Sequence, residues 1–203
     1  TLSPPVTVGF VGDLGLGRHI TSTARAKKDF SWSFQGISSW LLENNFTVAN
    51  LESPIIKNCP RGETGTFTFC GDDGLVPYLA QYKFYFDLHN NHILNYGLDG
   101  LNQTQSFLTV ANIPHYYDDL LIKETEGIKF GFLSYDFITY PESGNSVIAS
   151  PPRRTRQSLL DQVSQSKQKV DYLIVSIHWG NEYLPIAESW RVNHAHQLVD
   201  AGA

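Results

Sequence analysis

The chain has 203 residues, 41% of them apolar and 17% charged, with 15 Lys and Arg against 20 Asp and Glu. That is enough for one well-buried domain and short for two. The formal charge of -5 argues against a broad nucleic-acid-binding face, and an anionic substrate then calls for local positive charge such as a bound metal.

No stretch approaches the roughly 20 apolar residues that span a bilayer, so if the protein is membrane-attached its anchor is expected outside this chain. Methionine is absent, the initiator included, so the chain is expected to start after a processing site or at an artificial boundary.

Val6–Val11 reads as a strand running into Gly12-Asp13, followed by the glycine-rich Leu14-Gly15-Leu16-Gly17-Arg18. The G-x-G-x-x-G spacing of a dinucleotide loop is not met there. Ile37–Asn44 looks helical, and Phe46–Ala49 is a second buried strand that ends in Asn50-Leu51-Glu52. A polar excursion then carries the only two cysteines, Cys59 and Cys70. They either close the excursion as a disulfide or stay as free thiols, and no C-x₂-C zinc pattern is present. Gly74–Gln81 is a short helix with Pro77 early, where proline is tolerated. Phe84–Leu88 is a third strand, breaking off at His89-Asn90-Asn91-His92.

Leu98–Ala111 is a helix with Asp99 near its amino end, where the dipole favours it. Asp119–Glu124 and Ile128–Tyr135 form a hairpin about Glu126-Gly127. Pro141–Pro152 is an irregular loop. Arg156–Lys169 is an amphipathic helix feeding the strand Tyr172–Ile177, which runs into His178-Trp179-Gly180. Glu188–Asp200 is the last helix, with Gly202 as its C′ residue. The alternation predicts a single βαβ-type domain over residues 1–203 with a mixed sheet. It also calls for another strand after the last helix, so the domain is expected to continue beyond Ala203.

Four apolar runs therefore end at residues able to bind metal or move a proton, and ligands gather at the carboxyl ends of strands in open α/β sheets. Asp13 is a hard oxygen ligand, although a single Asp after a strand more often caps a turn. Asn50 and Glu52 share a side if the strand continues through them, one ligating and the other orienting it. Asn91 offers a neutral carbonyl oxygen, and His178 an imidazole suited to manganese, iron or zinc.

His92 is placed to act as a general acid. A lone histidine is more often a structural hydrogen-bonder, but this one sits in a cluster of two Asn and two His. Arg18 would hold an anionic group, with Asn90 and Glu182 beside the substrate. His194 and His196 are two apart on a helix and face different directions, so they are not taken as chelators.

Together, Gly12-Asp13-Leu14-Gly15-Leu16-Gly17-Arg18, Ala49-Asn50-Leu51-Glu52-Ser53-Pro54, Leu88–Gly97 and Ser176–Tyr183 resemble the capsule synthesis protein CapA family, a branch of the calcineurin-like metallophosphoesterase fold. The resemblance implies an α/β sandwich of mixed sheets flanked by helices, with the site at one sheet crest. It implies a divalent-metal centre with Asp13, Asn50, Glu52, Asn91 and His178 as ligands and His92 as catalytic acid. It further implies an extracytoplasmic domain, secreted or membrane-anchored, in which Cys59 and Cys70 are bridged.

The expected function is capsule biosynthesis, with metal-dependent hydrolysis of a phosphoester or a bond linked to poly-γ-glutamate. Expected partners are that anionic polymer and membrane subunits of capsule synthesis or export, with no nucleic acid. The alternatives are a non-catalytic polymer-binding or assembly factor on the same fold, and a phosphoesterase acting on small phosphates. Departures from the family pattern are His89 for a small residue and Asn95 for an Asp. A late Gly-x-His-x-His motif is expected beyond Ala203.

Overall fold

The computed structural model describes residues 5–60, 67–138, 155–181 and 184–203. The chain divides into two compact units, Thr1–His115 and Tyr116–Ala203. Both are mixed α/β.

In the first unit, β1 (Val8–Leu14) leads through α1 (His19–Lys27) and α2 (Ser38–Glu43) to β2 (Phe46–Leu51). The two-residue strands β3 (Ile55–Ile56) and β4 (Gly71–Asp72) follow, then α3 (Val76–Leu79), β5 (Phe84–Asp87), α4 (Gly97–Val110) and β6 (His115–Tyr116). The main sheet has the order β1-β2-β5-β6, with β1, β2 and β5 mutually parallel. β2 is central and buried along nearly its whole length, which is why Phe46-Thr47-Val48-Ala49 reads as a continuous rather than an alternating run. Phe34, Phe46, Phe84 and Phe86 are fully buried, and Phe84 stacks on Phe86 at 5.0 Å between centroids.

β3 and β4 pair parallel, and a disulfide joins Cys59, after β3, to Cys70, just before β4. Both cysteines are buried, with Ile56 and the partly buried Tyr96 packed around them. α4 is pinned to β3 by Thr104, whose hydroxyl accepts from Ile55 N–H at 2.8 Å.

Nothing in the sequence pattern predicts α1. Its only buried residues are Thr21 and Ala24, and Arg18 at its start makes no side-chain cap. The helix is instead held from outside. The Arg25 guanidinium pairs with Asp72 of β4 and donates to Cys59 O at 2.7 Å. The segment expected as a single helix over 74–81 is α3 flanked by two single turns of 3₁₀ helix.

The second unit holds β7 (Leu121–Thr125), β8 (Ile128–Asp136), α5 (Arg156–Lys167), β9 (Tyr172–His178) and α6 (Ser189–Asp200). Its sheet is mixed as expected: β7 pairs antiparallel with β8, and β8 parallel with β9. Glu126 and Gly127 both adopt positive φ, 52° and 79°, the requirement of a tight two-residue hairpin turn. α5 opens with a capping box, Thr155 and Ser158 each accepting from the other's backbone. Leu159, Val163, Leu173 and Leu198 form its core with Leu133 and Tyr135. Gly202 takes φ 117° just past α6, as its expected C′ role requires. The expected loop over 141–152 lies outside the described residues. No helix among the described residues is long and apolar enough to cross a membrane.

Candidate metal centre

Because β1, β2 and β5 are parallel, their carboxyl ends share one edge of the sheet. The alignment of that edge depends on an irregularity in β1. Phe10 lies opposite Val48, yet Asp13, three residues on, lies opposite Asn50, only two residues on. The extra residue in the Val11-Gly12 stretch is a bulge, a device that re-aims a side chain next to a site. Without it Gly12 would face Asn50 and the carboxylate would turn to the other face.

With the bulge, Asn50 Nδ2 donates to Asp13 Oδ1 at 2.8 Å and to Glu52 Oε2 at 2.5 Å. A carboxylate oxygen of Asp13 and one of Glu52 lie within 4.8 Å of each other. Two like charges this close repel unless a cation or strong donors lie between them. Here one amide nitrogen serves both. The donor set of hard oxygens suits a divalent cation.

The turn after β5 is built by Asn90. Its side chain is 3% exposed and all its polar capacity is engaged. Nδ2 donates to Asn50 Oδ1 and Leu51 O, while Oδ1 accepts from the backbone N–H groups of His92 and Ile93. Asn90 was expected beside the substrate, but a saturated amide has nothing left to offer one. Its role is to brace the turn against the end of β2. Its bond to Asn50 also fixes which half of that amide faces the carboxylates.

His92 is thereby held between two elements. Asn95 Oδ1 accepts from Phe69 N–H at 2.6 Å, which identifies that atom as the amide oxygen. The same oxygen lies 3.1 Å from His92 Nδ1, so Nδ1 carries the proton in the neutral ring. Nε2 is left facing Asn91 Nδ2 at 3.3 Å and Glu52 Oε1 at 3.9 Å. Phe69 covers the imidazole, ring centroids 4.2 Å apart, and the Arg18 guanidinium lies 4.7 Å from the Phe69 centroid and 5.4 Å from that of Phe67. Cys70, next to Phe69, is in the disulfide. A Cβ on Gly17 would come 3.2 Å from Phe69 Cβ, so the β4 approach fits tightly on the Gly17-Arg18 turn. Arg18 itself has φ 52°, an uncommon backbone for a non-glycine residue and one found often at functional sites.

The first unit therefore brings Asp13, Asn50, Glu52, Asn91 and His92 together, with the Arg18 guanidinium against Phe69. His178 ends β9 in the second unit, opposite Asp136 in the β8 register, and its carbonyl accepts from Phe137 N–H at 2.9 Å. Glu182 lies outside the described residues. His194 is buried, at 2% exposure, and His196 is exposed. Asn95 and Phe69 were not singled out as site residues. A usual Asp at position 95 was the available signal for the first; no local pattern marks the second.

A family model described as "Bacterial capsule synthesis protein PGA_cap" matches residues 7–203. The chain is 24% identical over 221 residues to the capsule biosynthesis protein CapA of Bacillus anthracis, covering 98% of this chain and 52% of that protein. It is 21% identical to the PGA biosynthesis protein CapA of Bacillus subtilis, covering 98% and 55% respectively. A probable polyglutamine synthesis accessory protein of Mycobacterium tuberculosis is 26% identical, with 94% and 56% covered. The chain thus spans about half the length of the curated relatives it matches. With the match running from β1 through α6, the chain belongs to the bacterial capsule synthesis protein family.

Proposed function

We propose that the strand-end crest of the first unit is a divalent-metal site serving hydrolysis in poly-γ-glutamate capsule biosynthesis, on a calcineurin-like sandwich fold. The observation that carries this reading is the convergence of Asp13 and Glu52 on a single amide donor, with His92 Nε2 presented toward Glu52. Asp13, Glu52 and Asn91 would hold manganese, iron or zinc. Asn50 would orient the two carboxylates, and His178 is proposed as a nitrogen ligand on the motif resemblance. The bound cation would supply Lewis-acid polarisation and activation of a water.

The chain's own residues account for the rest. In its doubly protonated form, with Nδ1–H committed to Asn95, His92 would give its Nε2 proton to the leaving oxygen and return to the neutral Nδ1–H ring. Phe69 shields one face of that imidazole, and Arg18 attracts the anionic part of the substrate. The substrate is a phosphoester or a polyglutamate-linked bond, and the polymer is favoured by relatives named for capsule and PGA biosynthesis. The Cys59–Cys70 bridge supports an extracytoplasmic location, because disulfides persist in oxidising compartments. Membrane subunits of capsule synthesis or export are the proposed partners.

The test is elemental analysis of the metal-loaded, dialysed chain beside Glu52→Gln and His178→Ala, followed by turnover assays with a γ-linked glutamate oligomer and an aryl phosphate. Near-stoichiometric metal in the wild type, reduced in both variants, with activity lost in His92→Ala, is the expected result. Absence of metal uptake would sink the hydrolase reading and leave a polymer-binding assembly factor. Rapid turnover of the aryl phosphate with the oligomer untouched would replace the polymer by small phosphates as substrate.

A further inference from the structure

His92 takes its direction from an amide, and an amide needs a neighbour to choose its own. A carboxylate at position 95 would accept through either oxygen, whereas Asn95 accepts through one atom only. The Phe69 backbone makes the choice. Its N–H donates to Asn95 Oδ1 at 2.6 Å, and the same oxygen lies 3.1 Å from His92 Nδ1. Were that N–H withdrawn, the amide could turn and offer Nδ2 to the ring. A donor there demands a bare Nδ1 and sends the proton to Nε2. On the other side of the ring, Asn91 Nδ2 lies 3.3 Å from Nε2, the longer contact of the two.

Phe69 is in turn placed chiefly by the disulfide. Phe67 and Thr68 before it are exposed, and β4 after it has two residues, too few to fix a segment by ladder bonds. Cys70 is the next residue, 5% exposed and bridged to Cys59. Tyr96, the residue after Asn95, holds its hydroxyl 3.6 Å from Cys70 Sγ. Two adjacent pairs therefore keep the segments in register, Phe69 with Asn95 and Cys70 with Tyr96. The far half of the bridge is anchored as well. Arg25 of α1 donates to Cys59 O at 2.7 Å and pairs with Asp72 beyond Cys70.

We propose that the Cys59–Cys70 bridge and Phe69 are positioning residues for His92. By fixing the Phe69 N–H they select the Asn95 orientation, and through it the tautomer that keeps a bare Nε2 toward Glu52. This is the form to which the acid returns once Nε2 has given up its proton. The acid role rests on the function proposed above; the tautomer selection does not, and it is read without metal or substrate.

The test is long-range proton–nitrogen NMR of the imidazoles in the chelator-treated chain, at a pH where His92 is neutral. The wild type is expected to carry the proton on Nδ1. Cys59→Ser with Cys70→Ser should shift the ring toward the Nε2–H form, with the buried His194 of the second unit unmoved. Phe69→Pro, which deletes the N–H in the bridged chain, should do the same and carries the test if the cysteine pair fails to fold. Adding Asn95→Asp to either variant should restore the Nδ1–H form, a rescue that a merely structural bridge would not show. In turnover, the cysteine pair should lower kcat about 10²-fold, the scale of a misplaced catalytic group, with KM unchanged. The proposal is overturned by a wild-type ring protonated on Nε2, by variants that keep the Nδ1–H form, or by failure of the rescue. The expected tautomer shift in a chain without any turnover would support the positioning and sink the hydrolase reading alone.

Discussion

The two units put opposite charge at their edges, and they do so with opposite ends of their secondary structure. In the first unit, strand ends of a parallel sheet gather Asp13, Glu52 and a neutral amide between them. In the second, helix starts gather Arg156 and Arg191 on one indole. The negative locus is braced by Asn90, through two bonds to Asn50 and Leu51 of β2 and two within its own turn. The positive locus is aromatic and open, backed by a cavity. Tight bracing suits chemistry, where small displacements cost rate. On the function proposed above, the chemistry belongs to the strand-end crest of the first unit.

That assignment can be broken most sharply at His92. His92→Ala should lower polymer hydrolysis by about 10²–10⁴-fold, the usual span for a general acid, while the thermal midpoint stays near that of the wild type. Arg18→Gln should instead raise KM with kcat unchanged, the signature of lost uniform binding. If the two variants showed the same kinetic pattern, the division of labour would be wrong.

Next in size is the covalent brace. Replacing both Cys59 and Cys70 by Ser should cost about 3 kcal/mol by the loop-entropy account, read as a lower denaturation midpoint. The loss should also free Phe69, so proton exchange at His92 should change in NMR while the Trp190 signals stay put. Movement of both sets of signals would show that the bridge serves the whole chain rather than the first unit.

The smallest expected effect lies away from both loci. The Ser31 hydroxyl and N–H hold the Asp29 carboxyl below its ordinary value of 3.8. A depressed folded value contributes stability above the unfolded value and loses it as pH falls through the folded one. Asp29→Ala should therefore lower the midpoint slightly at neutral pH, and the difference from wild type should close below about pH 4. A difference that widened in acid would reverse the sign.

Much of the architecture is legible in residue pattern alone. The continuous apolar runs of β2, β5 and β9, the Glu126-Gly127 turn and the Gly202 stop each obey a local rule, so sequence spacing suffices for them. α1 escapes because its stability comes from Arg25 reaching Asp72, 47 residues away, and not from an apolar stripe. The candidate site divides the same way. Asp13, Glu52 and His92 are marked by standing at strand ends. The saturation of Asn90 and the cover of Phe69 over His92 are not, because both depend on which segments pack together.

By itself the sequence determined the kinds of atoms at the strand ends, the mixed α/β class and the family motifs, since these follow from residue type and periodicity. Only the tertiary structure decided that a bulge in β1 turns Asp13 toward Asn50, that Cys59 and Cys70 are joined, and that Arg156 and Arg191 meet on Trp190. Register, pairing and long-range stacking are set by how whole segments pack. No local pattern encodes them.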